Sequence, residues 1–162
     1  MIKRQCQQHR KQIEAIDREW KSVLMANLTL KARFDILLSI PGVGPVTAIA
    51  LLVDMPELGS MDAKQAASLA GLAPVTRQSG TWKGQSFIQG GRASIRQALY
   101  MPALVALQHN PQLKETYETL RRRGKLAKVA ITAVMRKIVT IANALLRDNR
   151  KWTPEMPAVG AR

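Results

Sequence analysis

Three stretches of the sequence combine residue types that handle phosphate. The first is Ile40-Pro41-Gly42-Val43-Gly44. Its glycines permit positive φ and carry no side-chain bulk. Successive backbone N–H groups can then point outward beside the start of a following helix, an arrangement that suits a phosphate oxygen. Gly42, Val43 and Gly44 are therefore read as backbone contacts to nucleic acid, against the plainer reading of a tight turn used only for packing. The second stretch runs from residue 76 to 99. It holds Arg77, Lys83, Arg92 and Arg96 without a single acid, among small residues that let a strand approach closely. A serine here has the right atom to attack a phosphodiester, but its hydroxyl needs activation. On its own, a serine among glycines is more often a turn residue. The third is Arg121-Arg122-Arg123, Lys125 and Lys128 around Gly124, read as backbone contacts or else as a solvated face. Arg136 and Lys137 extend that patch, and Trp82 beside Lys83 is suited to stacking on a base or to closing a small core.

Other chemistries find little support. His9 and His109 are read as surface residues, and no Ser/His/Asp arrangement is visible. One cysteine, Cys6, excludes a disulfide framework or a cysteine-based zinc cluster within these residues. The 11 acids form no tight cluster of the kind a two-metal centre needs, so no metal ligands are assigned.

The elements that must position these residues follow from periodicity and turn chemistry. Residues 3–34 read as one long helix, with Ile13, Ile16, Trp20, Val23 and Asn27 on a heptad seam. That seam packs either on its own domain or against a second copy. Two short helices joined by the Pro-Gly-Val-Gly turn follow and look like a helix-hairpin-helix element, with Pro45 at a first helical position. Asp62 is placed to cap a helix over 63–70 that ends at Gly71. Residues 74–91 read as a loop or short β-hairpin. Helical spacing returns over 92–108, where Pro102 predicts a kink. Asn110-Pro111 starts another helix that Gly124 ends, and 126–146 is the last. The fold class is mainly α. The expected organisation is a coiled-coil arm over 1–34, a helical domain over 35–150 and a loose tail over 151–162.

The 162 residues suffice for a real core, and 46% of them are apolar, which argues against a mainly disordered chain. The net charge is +14, and such an excess in a globular protein points to a polyanionic partner. It is uneven: +5 over 1–34, −3 over 35–75, +4 over 76–110 and +8 over 111–162. The longest apolar run, Ala48 to Val53, is short for a membrane span, and aromatics are only 4%, so no membrane partner is expected. Met1 to Cys6 are too polar for a secretory signal.

Together these residues suggest a family. The ordered set Leu-Leu-Ser-Ile-Pro-Gly-Val-Gly (37–44), Ala-Gly-Leu-Ala-Pro (70–74), Ser-Gly (79–80), Gly-Gly-Arg-Ala-Ser-Ile-Arg-Gln-Ala-Leu (90–99), Gly-Lys (124–125) and Arg136-Lys137 resembles the C-terminal transposase domain of the IS110 insertion-sequence family. These are relatives of the Piv-type DNA invertases and bridge-RNA-guided serine recombinases. The likeness covers residues 35–150, and the preceding helix is similar to that family's coiled-coil linker. The resemblance implies DNA strand cleavage and exchange by a serine, a guide RNA, a homo-oligomer joined through the N-terminal helix, and a cytoplasmic, nucleoid-associated setting. It makes Ser79 the candidate nucleophile, with Ser86 and Ser94 behind it. Arg77, Lys83, Arg92 and Arg96 would bind the backbone or stabilise charge. In the family a RuvC-like domain with four acids and magnesium precedes the coiled coil. This sequence begins with the arm, so magnesium is expected outside it and the chain is expected to be inactive alone. The alternative is a non-catalytic DNA- or RNA-binding or oligomerisation protein derived from that ancestor.

Overall fold

The computed structural model describes residues 1–79 and 82–154, with backbone alone for 76–79 and 82–86. Of the expected loose tail, 155–162 lie outside the described residues. The chain divides into two compact units, Met1–Arg33 and Phe34–Arg162. Seven helices and one hairpin make up the described residues, a mainly α fold.

The first unit holds α1 (Ile2–Ala26) and the start of α2 (Leu28–Leu38). The single helix expected over 3–34 is thus two. Asn27 is extended at φ −128°, and its side-chain oxygen accepts the Leu30 N–H at 2.9 Å. The residue read as the last position of the seam caps the second helix instead, because a short amide side chain competes for backbone donors. Ile13, Ile16 and Val23 are exposed on α1, and Trp20 is half-buried.

In the second unit, α3 (Pro45–Asp54) starts on a first-turn proline and α4 (Ala63–Leu69) on a capping box. Asp62 accepts the Gln65 N–H at 2.8 Å, and Gln65 returns the bond to the Asp62 N–H at 2.9 Å. The hairpin is β1 (Pro74–Ser79) and β2 (Trp82–Ile88), paired antiparallel from Pro74 opposite Ile88 to Ser79 opposite Trp82. Three helices complete the unit: α5 (Ala93–His109), α6 (Pro111–Arg122) and α7 (Ala127–Arg147). Asn110 accepts the N–H groups of Gln112 and Leu113 and so starts α6.

The core is built around α7. Val134, Ile138, Ala142 and Leu145 are fully buried on it and share the core with Leu37, Leu51, Leu72, Leu99 and Leu113 from other elements. Burying each valine, leucine or isoleucine of this set stabilises the fold by about 1.5–3 kcal/mol. α7 is long and apolar enough to cross a membrane, but 61% of its apolar window is buried here, as befits a core helix. Two polar devices lock the packing. Asn143 accepts the Gly59 N–H at 2.8 Å and donates to the Met61 carbonyl at 2.7 Å, clamping the loop after α3. α5 runs through Pro102, which has no N–H for the Ala98 carbonyl. The Thr47 hydroxyl donates to that oxygen from α3, at 3.4 Å.

Candidate nucleic-acid interface

The glycine turn after α2 divides into a packed side and an open side. Gly42 has φ +95°, and a Cβ there would lie 2.6 Å from the Pro102 carbonyl oxygen and 2.8 Å from the Ala106 nitrogen. Its bareness is what lets the turn press on α5. Val43 is buried, and its N–H is spent on the Ile40 carbonyl at 3.0 Å. Gly44 caps α3 and has open space where a Cβ would stand. Of the three, Gly44 offers the accessible backbone; Gly42 and Val43 serve packing.

A second glycine device anchors the hairpin. Gly71 and Gly91, both with positive φ, lie so close that a Cβ on either would collide with the other's segment. The Arg92 N–H donates to the Leu69 carbonyl at 2.9 Å and closes this pinch. The Arg96 guanidinium donates to the Gly90 carbonyl across it. The Arg92 side chain folds back onto the end of α3 and the loop after it, bonding the Asp54 carbonyl and holding both Glu57 oxygens at 2.7 and 2.8 Å. That bidentate bond, with a backbone hydrogen bond and the guanidinium charge, lowers the Glu57 carboxyl to about 2. The same bond raises the Arg92 pKa. Arg92, read from sequence as a phosphate contact, is engaged with its own fold.

The hairpin foot stands between two clefts. Pro74, where β1 starts, lines an open groove of 1080 Å³ between α4, α6 and α7. Lys64, Arg123, Arg136 and Lys137 face it against one acid, Glu115. Ile88, the cross-strand partner of Pro74, lines a smaller cleft of 390 Å³ between α5 and α7. Arg96 and Lys128 face that one, and among the described residues no acid does. α7 forms a wall of both, with residues 133, 136, 137 and 140 on one side and 128, 132 and 135 on the other.

Arg121, Arg122, Arg123, Lys125 and Lys128 are all exposed around Gly124, which has φ +76° and open space about it. Arg121 donates to the Lys125 carbonyl at 2.7 Å and Arg122 to the Thr119 hydroxyl at 3.1 Å, so the turn is internally braced. At the other end of the hairpin, Ser79 pairs with Trp82 in the last register position. The side chains of Arg77, Ser79, Lys83 and Ser86 lie outside the described residues. Among the described residues, no group of three or more His, Cys, Asp or Glu side chains comes together to hold a metal. Of the groove cations only Lys64 escaped sequence reading, as did the Arg92–Glu57 pairing; Arg123, Arg136 and Lys137 read there as one basic patch, and 74–91 as a loop or short hairpin.

This order of elements, turn, capped helix, hairpin and arginine-bearing helix, coincides with a known pattern. The sequence profile described as the Transposase IS116/IS110/IS902 family matches residues 34–118, more than half of the chain. The chain belongs to that family. It is 36% identical over 144 residues to the pilin gene-inverting protein of Moraxella bovis, covering 86% of this chain and 45% of that protein. It is 35% identical over 125 residues to the IS110 uncharacterized 43.6 kDa protein of Streptomyces coelicolor, covering 76% and 31%. To the IS900 uncharacterized 42 kDa protein of Mycobacterium paratuberculosis it is 32% identical over 134 residues, covering 78% and 33%. The IS110-family chain thus spans less than half the length of these relatives. The family match ends at residue 118 and so excludes the basic turn; it includes both glycine devices and the hairpin.

Proposed function

We propose that this IS110-family chain is the nucleic-acid-handling half of a transposase or recombinase, and that Ser79 is its nucleophile toward DNA. One observation carries the reading. The hairpin that ends at Ser79 is rooted between two clefts edged by six cations and one acid. Such an arrangement suits a strand held at the hairpin foot by its phosphates. The relatives named for gene inversion add to it, since inverting a gene requires cutting and rejoining DNA.

The step conserves bonds. The Ser79 oxygen adds to phosphorus, one phosphorus–oxygen ester bond of the strand breaks, and the serine proton ends on the released strand hydroxyl. Arg77 and Lys83, beside Ser79 in sequence and strand register, would offset charge gathering on the phosphate oxygens. The donor set among the described residues does not suit magnesium, so any magnesium that assists belongs to carboxylates outside them, and no step is routed through it. The further partners in this reading are a guide RNA and a second copy of the chain, joined through the exposed Ile13, Ile16 and Val23 face of α1.

The test grafts this chain in place of the matching part of the Moraxella bovis relative and incubates it with DNA and magnesium. A covalent protein–DNA adduct is expected, and Ser79→Ala should abolish it while retaining DNA binding. An undiminished adduct in Ser79→Ala would move the role to Ser86 or Ser94. Binding by the unaltered chain should also weaken steeply with salt, with a log–log slope of several units. A flat response would overturn the second reading too, that of a non-catalytic DNA- or RNA-binding protein.

A further inference from the structure

We infer that the cleft between α5 and α7 at the foot of β2 is a pocket for one unstacked nucleotide of a single strand. The inference rests on the nucleic-acid reading above and adds the class of ligand for this site.

The lining residues carry the argument. From α5 come Arg96, Gln97 and Tyr100; from α7 come Lys128, Thr132 and Met135. Tyr100 is 42% exposed, a large ring left at the surface of a chain with only two tyrosines. An aromatic face at a basic surface is a platform on which any base can stack. Gln97 is exposed beside it, and a carboxamide both donates and accepts, as a base edge requires. Lys128 lies in the first turn of α7, whose cap residue Leu126 makes no side-chain bond to the leading N–H groups. A positive helix end and an ammonium therefore meet at one edge of the cleft, where a phosphate would sit. Arg96 is held in place by its bond to the Gly90 carbonyl, which uses one of five guanidinium donors.

Size discriminates between ligands. The cleft measures 390 Å³, near the lower end of the range of about 300–1000 Å³ for small-ligand pockets. It takes a nucleotide and is far too small for a duplex, whose major groove alone is about 12 Å wide. The larger groove has four cations but Ala, Pro, Leu and Thr walls with no aromatic, so it lacks a stacking face. From Ile88 to Trp82, β2 covers about 20 Å at roughly 3.4 Å per residue. A single oligonucleotide can therefore occupy the pocket and pass the hairpin tip.

The experiment measures fluorescence anisotropy of labelled dT12 and of a 12-base-pair duplex with the full chain. Tyr100→Leu keeps apolar bulk and removes the ring. It should weaken dT12 binding by about 5- to 150-fold, the loss expected for one stacked base, and duplex binding by less than about twofold. Tyr100→Phe, which keeps the ring, should stay within about twofold on both. Equal dT12 affinity for Tyr100→Leu and the unaltered chain overturns the pocket, as does Tyr100→Phe losing as much as Tyr100→Leu. Salt-dependent duplex binding that survives such a result leaves the broader reading standing. If the unaltered chain binds neither probe, both fall together. A thermal melt of each variant confirms that the fold is kept.

Discussion

Two bends in this molecule are each pinned on a glycine in the left-handed region, and they serve opposite ends. At Gly42 the missing side chain is filled by the backbone of α5. At Gly124 nothing lies within 4 Å of where a Cβ would be. The first bend has one amide already spent and a valine buried beside it. The second is ringed by exposed guanidinium and ammonium groups. A glycine-rich turn ahead of a helix is thus not enough to mark a phosphate site. The space around the turn decides whether its backbone faces another helix or solvent.

The sharpest way to break this contrast is to add one methyl group at each bend. Gly42→Ala forces overlap with α5 and a positive φ on alanine, and should cost about 3–5 kcal/mol in thermal or denaturant unfolding. Gly124→Ala meets only the backbone term, about 1–2 kcal/mol. Equal losses would erase the distinction between packed and open bends. A smaller effect separates the cations in the same spirit. The Arg92–Glu57 pair belongs to the fold, and the folded Glu57 carboxyl titrates below its ordinary value of 4.5, at about 2. Its stabilising effect is complete above the ordinary value and is lost as the pH falls towards the folded one. Glu57→Gln should therefore flatten the fall in stability between about pH 5 and about pH 2. An acid-unfolding curve unchanged by that substitution would remove Arg92 from the architectural group. The smallest effect is at the exposed bend. Lys125→Ala should leave the melting temperature unchanged and lower the salt slope of DNA binding by about 1.

What the sequence made legible was local. Asp62 as a helix cap, Asn110 before Pro111, and the glycine-punctuated run over 74–91 each act on neighbours, so residue order alone reveals them. The helix over 3–34 failed at Asn27 because two local rules competed there. One counted it in a heptad, the other as a cap, and the hydrogen bond to Leu30 decided for the cap. Long-range partners were illegible in principle. Glu57 and Arg92 stand 35 residues apart, and Gly59 and Asn143 stand 84 apart. No periodicity links such residues; only the folded path brings them together. For the candidate site, the basic residues were visible as types, but which of them face a cleft and which are spent inside the fold depended on that path.

α7 is both the spine of the core and a wall of the two clefts. On the proposed reading, occupancy of those clefts and foldedness are coupled equilibria. A strand lodged against that helix is bound only by the native state, so raising its concentration must raise the unfolding temperature. Partner concentration would then set the folded fraction as well as the engaged fraction.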